Sequence, residues 1–387
     1  MKARRIQLLL IVAVLGVSIL FSSVGKTKNI DQRAFVHAIG IDYEDGEYNV
    51  SLQVFKPQGA GSDTPVDVVQ SNVQVIQAKG KTVKQGIDKV QNKLGRNIFL
   101  GHLQLICLSK NVDFSNPEDL FSFCLKDKNV FLGVKLCLAE NTALELMETQ
   151  ITRGTMTSQS FMETIEMNVK NSTTLDCELI DFLSCIKSPS YIAMPVLSKA
   201  EPEKKEETSS GGESGKKDGG ENNQEPEIQI KSTALVKNGK VLKDEMTNSE
   251  SEGAAWLTKN AKYSQFAVSH RGENVNVRLS DDGAKIKLLN KDGRLIYKAD
   301  IKVVANVSKD IVTKEESAEI SNEIKNRLEK IFKDVENKAL YENKTDIFGI
   351  WRLMRHSYPK SYLEYKDRLE DIYDYVDFRT NVDVRIQ

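Results

Sequence analysis

The sequence predicts a multi-domain α+β protein: mixed and antiparallel sheets with packed helices, an N-terminal signal or anchor segment and a disordered mid-chain linker. Three observations carry this. Short apolar runs alternating in period two recur in both halves, punctuated by Asp45-Gly46, Asn238-Gly239 and Asp292-Gly293. A long charged segment carries an apolar stripe at helical spacing. Residues 201–227 contain no Val, Ile, Leu, Met, Phe, Trp, Tyr, Cys or Ala. That stretch has nothing to bury and cannot offset its ordering entropy.

The chain opens with Lys2, Arg4 and Arg5 before an apolar run over 8–24 that only Gly16, Ser18, Ser22 and Ser23 dilute. A basic start before an apolar stretch is an export pattern, and it leaves the rest of the chain on the outer side of a membrane. The run spans about 25 Å as a helix, near the lower limit for a bilayer. Two fates are open: retention as an anchor, or cleavage after Gly25. No Cys lies near it, so lipid attachment to Cys is excluded here. The domains expected are 1–25 as signal or anchor, 26–200 as the N-terminal α+β part, 201–227 as the linker and 228–387 as the C-terminal α+β part. By the Gly-rich chain estimate the linker spans roughly 30 Å and tethers two separately folded halves.

From 30 to 199, strands are expected at 34–41 and 48–56 around the Asp45-Gly46 turn, and at 66–77. Val83, Ile87, Val90 and Leu94 predict a helix over 82–94. The apolar runs 103–108 and 130–138 read as buried strands. Between them Pro117 follows Asn116, which predicts a short capped helix over 117–125. Amphipathic helices are expected over 158–169 and 175–186, the second capped by Thr174, with a closing strand over 192–197. After the linker, strands are expected at 228–236, 240–242, 275–279, 285–289 and 294–307. A helix of about 31 residues, roughly 46 Å at standard rise, should run over 314–344. Thr313 and Glu316 start it as a capping box, and Ile320, Ile324, Leu328, Ile331, Val335 and Ala339 form the face that packs on a sheet. A helix over 361–373 and a final alternating strand close the chain.

Composition excludes some functions. Lys and Arg number 54 against 55 Asp and Glu, so no basic excess points to nucleic acid. The five cysteines cannot all pair, and no C-x-x-C occurs. Cys107 and Cys137 lie in apolar runs and read as small hydrophobes. Unpaired thiols in an exported chain suit a reducing habitat. The four histidines, His37, His102, His270 and His356, have no metal-ligand spacing. There is no G-x-S-x-G and no P-loop. The carboxylates Glu364, Asp367, Glu370, Asp371, Asp374 and Asp377 alternate with Tyr and Arg, as on a solvated face. The expectation is therefore no catalytic residue, no metal site and no cofactor.

Several segments resemble the Ger(x)C family of spore germination proteins. Ile30-Asp31-Gln32-Arg33-Ala34 followed by Ala38-Ile39-Gly40-Ile41-Asp42 is similar to its mature start. Ile98 to Leu103, with Gly101-His102 before a strand, is similar to a second family segment, and Ala193 to Leu197 to a third. Thr233 to Val236 and Trp256-Leu257 resemble the opening of the family's C-terminal domain. Asp346-Ile347-Phe348-Gly349 resembles its turn after a long helix, and Tyr358-Pro359-Lys360 and 381–385 also fit. The resemblance covers 30–387. It implies three α+β domains, no enzymatic activity and the role of C subunit of a nutrient germinant receptor. Its partners would be the integral membrane A- and B-type subunits and the membrane, on the outer face of the spore inner membrane. Gly101, His102, Asp346, Gly349 and Trp351 are the candidate structural or interface residues. One departure is that the family's lipidated Cys would fall near Val24, where this chain has Ser23-Val24-Gly25. The alternative reading is an exported, envelope-associated binding module or hydrolase.

Overall fold

The computed structural model describes residues 32–55, 73–149, 157–186, 191–200, 228–291, 294–308, 313–366, 373 and 375–387. In chain order the first part comprises β1 (Arg33–Glu44), β2 (Glu47–Phe55), β3 (Val73–Gly80), α1 (Val83–Leu94), β4 (Asn97–Phe99), β5 (Leu105–Ser109), α2 (Pro117–Leu120), α3 (Ser122–Leu125), β6 (Lys135–Ala139), α4 (Ala143–Met147), α5 (Thr157–Lys170), α6 (Leu179–Ile186), β7 (Ile192–Lys199), β8 (Ile228–Lys237) and β9 (Lys240–Val241). The second comprises α7 (Asn248–Leu257), β10 (Tyr263–His270), β11 (Glu273–Lys291), β12 (Arg294–Val307), α8 (Lys314–Glu336), α9 (Ile350–Ser357), α10 (Pro359–Tyr365) and β13 (Val376–Ile386).

The α+β class is as expected. The first sheet has the order β3-β2-β1-β5-β6-β7-β8-β9, with β4 beside the start of β1. Strands β1, β4, β5, β6 and β7 run parallel, and β2, β3, β8 and β9 pair antiparallel with their neighbours. The second sheet has the order β10-β11-β12-β13, antiparallel except for β12 with β13. The turns follow from their residues. Asp45 and Gly46 take φ 53° and 79°, and Asn238 and Gly239 take 49° and 76°. Consecutive left-handed residues match the strand twist of a tight hairpin. Thr82 caps α1 by accepting from Gln85 N, and Val83, Ile87 and Val90 are buried. On α8 the stripe Ile320, Ile324, Leu328, Ile331 and Val335 is buried, and the helix packs on β13, β10 and α7.

Several boundaries move, for local reasons. The strand expected over 130–138 starts only at Lys135, because Val134 N closes a turn onto Phe131 O and Phe131 is 77% exposed. The helix expected from 175 starts at Leu179. Leu136 N is instead bonded to Cys177 O, and Thr174 caps nothing but meets the Thr233 hydroxyl at 2.8 Å. The strands expected at 275–279 and 285–289 are one 19-residue strand with an irregularity between Asp281 and Gly283. The long helix is α over 23 residues, about 35 Å, and then widens into a π-turn at Asn337–Glu342. Of the helix expected over 361–373, the described part runs from Pro359 to Tyr365, and 367–372 lie outside the described residues. The third strand is found at 73–80, and 66–72 lie outside the described residues, as do 1–31, 201–227 and Asp292-Gly293. Strands β4 and β10 and helices α4, α7 and α9 were not foreseen. Helix α7 has a full capping box of Thr247 and Glu250, but it is buried almost all round and shows no polar face to read.

The sheet also runs across the boundary expected at 227/228. Lys199 pairs with Ile228, and β8 continues the first sheet. The described residues on either side of 201–227 are therefore neighbours in one sheet, while 201–227 lie outside the described residues. Period-two alternation announced β8 as a strand but could not say which sheet it joins. Leu235 of β8 and Leu175 pack into the core of the second part.

Candidate functional site

The residues singled out by the sequence fall in two places. The first follows α8. Thr345 donates from both N and Oγ1 to Ala339 O at 2.7 Å, which closes the π-turn. Lys237, from β8, donates to Asn343 O and Lys344 O at 3.1 and 3.2 Å. Asp346 is 2% exposed. Its Oδ1 accepts from Ile350 N and its Oδ2 from Trp351 N, each at 2.8 Å. These amides open α9 and have no partner inside the helix. Gly349 sits in the cap position at φ 68°. It has no side chain to cap with, so Asp346 caps from three residues earlier.

Phe348 packs 5.7 Å from the Tyr297 ring and 5.0 Å from Phe378, and the Tyr297 hydroxyl donates to Leu257 O at 2.7 Å. Trp351 is buried in the same core. Burial pushes the Asp346 carboxyl up to about 6, against the pull of the Trp351, Ile350 and Gly349 amides.

The second place is the turn before β5, where Leu103 N bonds to Leu100 O. Gly101 and His102 are exposed. The His102 ring lies 5.5 Å from Phe35, 5.9 Å from Phe99 and 5.7 Å from His37. The Arg33 guanidinium sits 5.0 Å from the Phe99 ring centre. A Cβ on Gly101 would stand 2.5 Å from Phe99 Cζ, so glycine lets that ring lie across the turn. Burial and the charge of His102 lower the pKa of His37. The structure does not bring the two places together. The Asp346 turn is part of the second sheet's core, and Gly101-His102 stand at the first sheet's end.

Sequence reasoning missed the polar residues that tie the parts. Asp42, on β1, accepts from Ala143 N at 2.7 Å and Leu144 N at 3.0 Å and so caps α4. Burial raises its pKa, opposed by those amides. Thr233 of β8 meets both Thr174 and Ser251 at 2.8 Å. Lys338 donates to Glu245 O at 2.6 Å and pairs with Glu250 and Asp244 at 3.1 Å. Glu245 in turn holds Lys110 and Ser232 of the first sheet's part. None of these pairs has a local signature, because the partners come from distant positions in the sequence. The thiols of Cys124, Cys137 and Cys177 are buried, and burial pushes each up, so they stay protonated at neutral pH. Among the described residues no group of three or more His, Cys, Asp or Glu is placed to hold a metal ion, and no helix is long and apolar enough to cross a membrane.

The arrangement defines an α+β protein whose singled-out residues hold turns, helix starts and the seam between two sheets. Family models match almost the whole chain: the spore germination protein N-terminal domain over 26–199 and the spore germination B3/GerAC-like C-terminal domain over 231–387. The chain belongs to this spore germination family. A crystal structure of the GerBC protein matches with a TM-score of 0.54 at 15% identity, covering 90% of this chain and 96% of that one. No curated protein matches the sequence.

Proposed function

We propose that this protein is a non-enzymatic C-type subunit of a nutrient germinant receptor. It sits on the outer face of the spore inner membrane and couples two integral membrane subunits to the germination response. The observation that carries this is the pair of family models, in order and covering both parts of the chain. Residues 8–24 anchor it by insertion, without lipid on Cys. The scaffold role agrees with where Asp42, Asp346 and Thr233 are engaged: at two helix starts and in the seam around β8.

Deletion of the gene tests the reading. Spores should lose or slow their response to a particular nutrient, and the two membrane subunits should fall in abundance. Normal germination to every nutrient tested, with unchanged membrane subunits, would refute it.

A further inference from the structure

Phe131 is 77% exposed, on the loop between α3 and β6. Leu125 and Ile180 beside that loop are 44% and 46% exposed, and Ile180 N bonds to Leu132 O, so α6 backs it. Lys126 and Lys128 on the same loop are exposed. Asp127 lies between the two lysines and exposed Asp181 follows Ile180, so what marks the patch is a large exposed ring amid aliphatic side chains, the composition of a surface that meets a lipid interface.

Topology says where this surface faces. Ala38, Leu105 and Lys135 are at one level across β1, β5 and β6, which run parallel. The start of β1 and the loop before β6 therefore lie at the same end of the sheet. Arg96, also exposed, precedes β4, which pairs with β1 at Arg33. The apolar run 8–24 is separated from Gln32 by seven residues, 25–31, and the eight steps from Val24 to Gln32 reach at most about 29 Å. If that run sits in the bilayer, this end of the sheet is held within that distance of the lipid.

We propose that the strand-starting end of the first sheet rests on the membrane and that the loop over 126–133 seats Phe131 in the lipid interface. The Asp45-Gly46 hairpin tip, at the opposite end of β1, points away. This rests on the reading of 8–24 as a membrane anchor and adds the face on which the body lies.

The test uses the full chain reconstituted with vesicles of phosphatidylcholine and phosphatidylglycerol brominated on their acyl chains. Two variants carry a reporter, Phe131→Trp and Glu44→Trp, both at exposed positions. The native Trp256 and Trp351 are 1% and 7% exposed and serve as an internal background. The expected result is loss of emission on brominated vesicles for Phe131→Trp and none for Glu44→Trp. A chain that sediments with vesicles but leaves Phe131→Trp unquenched overturns the proposal while the anchor stands. Equal quenching of both variants overturns it too, and a chain that stays in the supernatant overturns both readings. Quenching of Phe131→Trp alone in a bound chain whose N-terminus begins near Lys26 supports the proposal and removes the anchor.

Discussion

Asp42 in the first part and Asp346 in the second each give both carboxylate oxygens to two successive amides at a helix start. Their settings differ. Asp42 stands on a strand and reaches a helix 101 residues away, and Thr142 independently caps the same helix from Glu145 N. Asp346 lies in the turn just before its helix, where the cap position is a glycine and no other side chain caps. One cap is shared and joins a sheet to a helix. The other is single and sets the direction of the chain after α8. The difference teaches that equal hydrogen bonding does not mean equal dependence.

The largest effect should therefore fall on Asp346. Asp346→Ala leaves two buried amides without an acceptor, at about 1–3 kcal/mol each, offset in part by removing a buried carboxylate. A net loss of about 3 kcal/mol at neutral pH is expected in urea unfolding. Asp42→Ala should cost about 1–2 kcal/mol, since Thr142 retains part of the cap. Equal losses would break the comparison.

A pH series sharpens it. The folded Asp346 carboxyl titrates at about 6, against about 3.9 unfolded. Because the folded value is raised, the folded chain binds the extra proton. This contribution to stability is fully present below about pH 4 and is lost as pH rises through 6, for a total near 3 kcal/mol. Asp346→Asn should flatten that part of the profile. An unchanged slope between pH 4 and 7 in Asp346→Asn would place the titration elsewhere.

Gly349 is a conformational requirement and not one of space. Its φ is 68° and nothing lies within 4 Å of an added Cβ. Gly349→Val should cost about 2 kcal/mol and Gly349→Ala about 1, while Gly349→Asn should be nearly neutral, because Asn tolerates the left-handed region. A large loss with Asn would show that the turn needs glycine for another reason.

The seam can be tested by cutting. Because Lys199 and Ile228 are paired, cleavage within 201–227 should leave fragments that stay associated in gel filtration. Deleting 203–225 shortens the β7–β8 connection from 28 residues to five and should stabilise by about 1.5 kcal/mol from loop closure. Separation of the cleaved fragments would restore the picture of two independent halves.

What was legible in the sequence was local. The two hairpin turns, the Asn116 and Thr313 caps, and the stripe on α8 rest on neighbours a few residues apart, and the structure has them. Asp346-Gly349 was expected as a turn through the family resemblance, and the structure has it. Asp42 was not legible as a cap, nor β8 as a strand of the first sheet, because their partners are set by tertiary pairing. Thr174 shows the limit from the other side. It sat before an apolar-periodic run like a helix cap, yet its hydroxyl is taken by Thr233, and the helix begins four residues beyond Leu175.

His102 should show the smallest effect. Its ring makes edge contacts with Phe35 and tilted ones with Phe99 and His37, but it is exposed, so His102→Ala should cost less than about 1 kcal/mol. Its clearest trace should be on a neighbour. The charge of His102 helps hold the pKa of His37 down, so removing it should move the His37 titration upward in NMR. If the protein is a scaffold, germination of His102→Ala spores should stay close to normal. Loss of germination with folded protein at normal levels, and with the His37 shift observed, would assign His102 a chemical role and favour the exported hydrolase over the receptor subunit.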